Sequence, residues 1–206
     1  MTLRLAAGSL ADFHAEVPAA SASAEYVAWR RSLTAALETY GLAPPPDAPA
    51  GAAAASDELG WSAYGGLAMW AAYTEHPGLE RPATEPEEWH KDPAVLASAA
   101  TGFASRFATL TRGVELWLPG TFAPVIEIAA PGGDALDAGS TGALVRELDE
   151  LNAATWRASA AEILGWRDTV DGGSPRLEDL ARRGFSTFVR LASRVRGKPL
   201  ALWLDY

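Results

Sequence analysis

The stretch VELWLPGTFAPVIEIAAP, residues 114–131, is where apolar residues change from helical spacing to alternation. In its first half, Val114 and two leucines alternate with Glu115 and Trp117. A second apolar run follows a Pro-Gly-Thr turn. Alternation with a period of two is typical of half-buried strands, so the two runs predict a β-hairpin formed by residues 114–118 and 124–129.

The last residues of the chain, PLALWLDY, repeat this alternation and predict a third strand over residues 200–205. If the leucines of both regions face the core, Trp117 and Trp203 share the opposite face of the sheet. An uncovered sheet face ordinarily carries polar residues. The two indoles are therefore expected either to lie beneath another helix or to line a binding groove or dimer interface.

Helical periodicity accounts for most of the remaining chain. Helices are predicted over residues 23–40, 61–73, 93–113, 140–155, 158–166 and 174–197. Ser174 and Pro175 are typical of the start of the last helix, and Asp92 is a candidate N-cap for the third. Gly65 and Gly66 each cost about 1 kcal/mol relative to alanine inside a helix. Either the second helix begins after them or another element packs closely there.

These patterns predict an α+β fold that is predominantly helical. A small antiparallel sheet of about three strands, the hairpin plus the C-terminal strand, would pack against the helices. A chain of 206 residues with 49% hydrophobic residues suits a single domain. Residues 43–57 are rich in proline and alanine and are the best candidate for a linker, which would join a helical N-terminal extension, residues 1–42, to the rest.

Composition excludes several classes of function. The chain has no cysteine, which rules out disulfides, thiolate metal sites and cysteine nucleophiles. Its net charge is −9, whereas nucleic-acid binding requires a concentrated excess of lysine and arginine. No apolar run reaches the roughly 18 residues that span a bilayer. The sequence therefore predicts a cytoplasmic protein with neither a nucleic acid nor a membrane as partner.

The segment TEPEEWHKDP, residues 84–93, concentrates acidic residues around one of the three histidines. Thr84 and Glu87 match a capping box, which predicts the polar start of a helix. Glu87 and His90 also match the Glu-x-x-His pair of di-metal carboxylate sites. Those sites need the pair twice, and it occurs once here, so a metal site at His90 and Glu87 is the alternative interpretation.

Two further features are candidate sites. Ser62 lies in GWSAYGG, residues 60–66, a partial nucleophile-elbow pattern whose second glycine is one position late. Near the end of the last helix, four basic residues have no acidic residue at helical spacing and form a candidate site for an anionic ligand or partner. These residues are Arg190, Arg194, Arg196 and Lys198.

No catalytic motif is complete, so the sequence favours a non-enzymatic protein that binds another protein or a second copy of itself. Small acidic immunity or antitoxin-like proteins are one example of this class. No cofactor is expected. Two alternatives stay open: a metal-assisted enzyme using Glu87 and His90, and a small-molecule-binding protein with an aromatic pocket lined by Trp61, Trp70 and Tyr73.

Overall fold

The computed structural model describes residues 2–16, 22–101, 104–168 and 175–206, which form eight α-helices and six β-strands. The strands are β1 (Arg4–Gly8), β2 (Ala55–Glu58), β3 (Leu116–Leu118), β4 (Ile126–Ala129), β5 (Ala135–Ser140) and β6 (Ala201–Asp205). The helices are α1 (Leu10–Glu16), α2 (Ala22–Thr39), α3 (Trp61–Glu75), α4 (Pro93–Ala100), α5 (Ala108–Thr111), α6 (Thr141–Ala154), α7 (Ala160–Gly165) and α8 (Leu177–Val195).

The strands form one mixed sheet in the order β2-β1-β6-β3-β5-β4. The prediction of a small antiparallel sheet of three strands is therefore wrong. The two runs within residues 114–129 do form β3 and β4, but β5 lies between them, parallel to β3 and antiparallel to β4. The sequences of β5, β1 and β2 are ALDAGS, RLAAG and ASDE. They lack the β-branched and aromatic residues that mark a strand in a sequence.

The N-terminal part of the chain contributes directly to this sheet. β1 pairs with β2 on one side and with the C-terminal strand β6 on the other, both antiparallel. Residues 1–42 thus supply an inner strand, and β2 begins inside the Pro/Ala-rich segment 43–57. The backbone hydrogen bonds of β1 are made with strands that lie far away in the sequence. A local sequence pattern does not show such pairing.

Helices cover both faces of the sheet. One face packs with α3, α6 and α8 and includes Trp117; the other packs with α1 and α2 and includes Trp203. The register pairs Leu116 with Trp203 and Trp117 with Leu202. The two indoles therefore point to opposite faces, and the expectation that they share one is wrong. Both are buried, with exposed fractions of 0% and 3%.

Helix α3 continues through both of its glycines, which confirms close packing rather than a late start. A methyl group on Gly66 would lie 2.7 Å from the Cβ of Leu180 on α8. One on Gly65 would lie 2.6 Å from the indole of Trp89, in the 3-10 turn Trp89–Lys91. Nowhere in the described ranges is a helix both long and apolar enough to cross a membrane.

Three helix boundaries differ from those predicted. The helix expected over residues 93–113 divides into α4 and α5. The carboxylate of Glu75 accepts hydrogen bonds from Ser98 of α4 and, ahead of α5, from Ser105 and the Arg106 backbone N–H. No helix starts at Thr84, so the expected capping box does not form. α8 begins at Leu177, and Ser174 lies outside the described residues.

Asp92 was correctly predicted as the N-cap of α4. Its carboxylate accepts hydrogen bonds from the Ala94 N–H at 2.8 Å and from the Tyr73 hydroxyl at 3.0 Å. Asp92→Ala is therefore expected to lower the free energy of unfolding by about 1–2 kcal/mol, as measured by urea denaturation. Asp92→Asn retains a capping oxygen and is expected to recover most of the loss. Equal losses in the two variants would contradict a capping role.

Candidate functional site

Exposure separates Trp61 from the other tryptophans that the sequence suggested for binding. Trp61 is 45% exposed, whereas Trp70 is only 8% exposed and Trp117 and Trp203 are still more deeply buried. The buried indoles contribute to the two cores. Trp61 is the first residue of α3, and of these four tryptophans it is the one that an approaching partner could contact.

Trp61 packs against Tyr206, the last residue of the sequence. Their ring centroids lie 5.5 Å apart, and Tyr206 is itself 50% exposed. β6 carries Tyr206 to the end of the sheet where α3 begins. Beneath them lies Tyr64, whose hydroxyl is buried and has no hydrogen-bond partner among the described residues. Burial raises the pKa of Tyr64, so this phenol stays neutral.

Carboxylates lie near both rings. The Tyr206 hydroxyl donates to the Glu115 carboxylate at 3.2 Å, and Asp205 immediately precedes Tyr206. Glu58 lies beside Trp61, and Glu85 is held at the start of α3 by a hydrogen bond with Ser62. Partial burial raises the pKa of Glu85. We call this surface the Trp61–Tyr206 patch: Trp61, Tyr206, Glu58, Glu85 and Glu115.

A depression of about 400 Å³ adjoins Trp61 and extends towards α8. Arg167 and Arg183 line it together with Glu58. Arg167 forms an ion pair with the buried Asp57 of β2, whose carboxylate lies 3.1 Å from the guanidinium and also pairs with Arg190 of α8. The depression is thus lined by two arginines and one glutamate. The exposed ring pair at its border can stack with the guanidinium or ammonium group of a partner side chain.

The basic residues near the end of α8 do not form one cluster. Arg190 forms an ion pair with Asp57, which lies 133 residues earlier and was therefore invisible to helical spacing. Arg196 pairs with Asp149 of α6 at 3.1 Å. Arg194 is exposed on the last turn of α8. Arg196 and Lys198 line a separate groove.

The structure gives the metal hypothesis no converging ligands. In the described part of the chain, no three His, Asp or Glu side chains are grouped so that they could hold a metal ion. His90 lies in the 3-10 turn, and Glu87 precedes that turn in non-helical backbone, so the two are not on one helical face. The neighbouring Glu88 forms an ion pair with Lys91 at 2.6 Å.

Ser62 has the strand-and-turn context of a nucleophile elbow but not its chemistry. β2 leads through Gly60, at a φ of 73°, directly into α3. A strand therefore precedes the motif, although its sequence, ASDE, has no strand pattern. The Ser62 hydroxyl is hydrogen-bonded to the carboxylate of Glu85 rather than to a histidine, so the arrangement lacks the usual activating base.

The three residues of the expected aromatic pocket lie at different places along α3. Trp61 lines the depression towards α8, while Tyr73 lines a second one with Arg81 at the other end of the helix. Trp70 is stacked between the Trp156 indole, at 5.6 Å, and the Arg81 guanidinium, at 3.7 Å from its ring centre. The Trp70 ring is therefore in contact with other side chains of the protein.

Comparison with protein families, curated proteins and solved structures finds no match to this chain. A functional assignment therefore depends on the surface alone. The sequence suggested Trp61 but missed Tyr206, because the predicted strand ended at Asp205 and nothing in the local pattern placed the last residue beside α3.

Proposed function

We propose that this chain is a non-enzymatic protein that binds a basic protein partner through the Trp61–Tyr206 patch. The exposed Trp61–Tyr206 ring pair is the observation that carries the proposal. Tryptophan and tyrosine are enriched among the residues that dominate binding energy, because they bury a large area at little entropic cost.

The charges on the patch indicate the partner's chemistry. Three carboxylates lie near the rings: Glu115 accepts from the Tyr206 hydroxyl, Glu58 lines the depression beside Trp61, and Glu85 is hydrogen-bonded to Ser62. The net charge of the chain is −9. A field of this sign attracts basic proteins and accelerates their association at low ionic strength. An arginine or lysine of the partner would stack on the indole and pair with a neighbouring carboxylate.

Site-specific photocrosslinking tests this proposal directly. In Tyr206→p-benzoylphenylalanine, we expect irradiation in a lysate of the source organism to link the chain to one basic protein, identified by mass spectrometry. Tyr40→p-benzoylphenylalanine is the matched control, since Tyr40 is 48% exposed and Tyr206 50%, while Tyr40 lies at the end of α2, away from the patch.

Three outcomes would contradict the proposal. The first is the same crosslinked products from positions 206 and 40. The second is an acidic partner, or a second copy of this chain, at position 206. The third is unchanged affinity of the crosslinked protein for Trp61→Ala, for which we expect a loss of about tenfold or more. Trp61 is 45% exposed, so this variant is expected to keep its fold, which circular dichroism checks.

A further inference from the structure

A groove of about 950 Å³ lies at the opposite end of the sheet from the Trp61–Tyr206 patch. The groove is lined by Pro119, which follows β3, and by Pro199, which precedes β6. The patch lies at the other ends of the same strands, since Glu115 precedes β3 and Tyr206 follows β6. At about 3.4 Å per residue, the two surfaces are separated by roughly 20 Å along β6. The groove is therefore a second, independent surface.

The walls of the groove are mainly apolar. One wall is a single face of α6, which presents Val145 and Ala153, and the other is the turn that joins α8 to β6. Three prolines complete the lining: Pro46, Pro119 and Pro199. A volume of this size lies at the upper end of the range of small-molecule sites, which are mostly apolar with a few placed polar groups.

The N-terminus of α6, which borders the groove, is already occupied by protein groups. The Ser140 hydroxyl accepts from the Ala143 N–H at 3.0 Å, and the Gly120 carbonyl accepts from the Gly142 N–H at 2.8 Å. These two N–H groups are therefore not free to bind a ligand. The charged side chains at the rim decide the ligand's chemistry.

Pairing leaves an excess of positive charge at the rim. The two acids of the groove are engaged, Asp149 with Arg196 at 3.1 Å and Glu150 with Arg106 at 3.8 Å. The remaining charged residues of the lining, Arg146 and Lys198, are both exposed, and neither forms an ion pair within 4 Å in the described ranges. Two cations at the edge of an apolar groove match a ligand with an apolar body and one acidic group.

We propose that this groove binds a small amphipathic anion, such as an aryl or alkyl carboxylate or sulfonate. The apolar body lies against Val145, Ala153 and the prolines, and the acidic group pairs with Arg146 or Lys198 at the rim. This site accounts for Lys198, which the sequence had grouped with the arginines of α8, and it adds Arg146, which the sequence did not suggest.

The test uses two fluorescent probes of similar shape, the sulfonate 1-anilinonaphthalene-8-sulfonate and the neutral N-phenyl-1-naphthylamine. We expect the sulfonate to saturate one site per chain and to bind several-fold more tightly than the neutral probe. Ala153→Trp fills the groove and is expected to abolish sulfonate binding. Ala154→Trp changes the neighbouring exposed residue of α6, which faces away from the groove, and is expected to bind like wild type.

Charge is tested on the two lysines of the chain. Lys198→Gln is expected to weaken sulfonate binding about threefold and to leave the neutral probe unaffected, as for one exposed ion pair. Lys91→Gln makes the same charge change outside the groove and is expected to have no effect. Unaltered sulfonate binding in a folded Ala153→Trp protein, checked by circular dichroism, would overturn the proposal, as would equal affinity of wild type for the two probes.

Discussion

Gly184→Leu is expected to lower the free energy of unfolding by about 3 kcal/mol or more, because it forces apart two helices that meet at their backbones. A Cβ at position 184 of α8 would fall well inside the contact distance of the Ala63 carbonyl oxygen of α3 and 3.0 Å from its carbonyl carbon. A flexible side chain could move away from such a methyl group. A helix backbone moves only if the whole interface shifts.

Each of the two helices, α3 and α8, contributes a glycine to their interface, so a larger residue on either helix is expected to disturb the packing. Gly66 of α3 faces Leu180 and the backbone N–H of Ala181 on α8, and a Cβ there would lie 3.1 Å from that nitrogen. Each helix thus presents a glycine where the other's backbone approaches. The close approach packs α3 and α8 against one face of the sheet, where Phe188 contacts Trp117 with their ring centroids 5.3 Å apart.

Gly165 is the matched control for Gly184. It is the last residue of α7, and a Cβ there would meet nothing within 4 Å. Gly165→Leu is expected to change stability by less than about 1 kcal/mol, and to increase it if helix propensity dominates. Urea denaturation followed by tryptophan fluorescence measures both variants. Similar midpoints for Gly184→Leu and wild type would mean that the two helices do not approach this closely.

This glycine pair shows how far local sequence patterns reach. The apolar residues of α3 and the cap at Asp92 were sufficient to predict two helices, because those signals lie within one turn of the element they specify. The glycines posed a choice between a broken helix and close packing. Only the position of α8, more than 100 residues later, decides between them.

Strand pairing was the least predictable part of the fold. The hairpin interpretation assumed that consecutive strands are neighbours, which is usual but not obligatory. β5 lies between β3 and β4, yet its sequence ALDAGS resembles a loop. Small residues suit a strand covered by helices: the Thr109 side chain lies 3.0 Å from where a Cβ on Gly139 would be. Close packing requires small residues in β5. Because small residues replace the β-branched and aromatic ones that are typical of strands, β5 cannot be identified from its sequence.

The candidate site, like the sheet, depends on contacts between elements that are distant in the sequence. Trp61 could be suggested from its residue type, but its exposure depends on the end of the sheet at which α3 begins. Arg190 has no acidic residue at helical spacing, but it pairs with Asp57 of β2. Ion pairs and aromatic contacts between distant elements depend on topology, so they became visible only with the sheet order.

The second large effect concerns Glu147, an acid buried on α6 with 3% of its surface exposed. Burial raises its pKa from the ordinary value of 4.5 to about 7. Hydrogen bonds oppose this shift: Thr109 donates its N–H to both carboxylate oxygens, at 3.2 and 3.0 Å, and its hydroxyl to Oε2 at 2.8 Å. The charge of Arg146 also lowers the pKa, but loss of solvation is the larger effect.

The sign of the pH dependence follows from proton binding. Between pH 4.5 and about 7, the folded chain holds a proton on Glu147 that the unfolded chain has released. The contribution of this residue to stability is therefore complete at low pH and is lost as the pH rises to about 7. At 1.36 kcal/mol per pKa unit, the total loss is about 3 kcal/mol.

Comparison with Glu147→Gln isolates this contribution, because glutamine keeps an acceptor for Thr109 but does not titrate. The stability of wild type minus that of Glu147→Gln is expected to fall by about 3 kcal/mol between pH 4 and pH 8, as measured by urea denaturation. Glu150→Gln, at a side chain that is 42% exposed, controls for the loss of one acidic group. If the stability difference between wild type and Glu147→Gln stays constant with pH, the prediction is wrong. The Thr109 hydrogen bonds would then compensate fully for burial, and Glu147 would cap α5 as a carboxylate over the whole pH range.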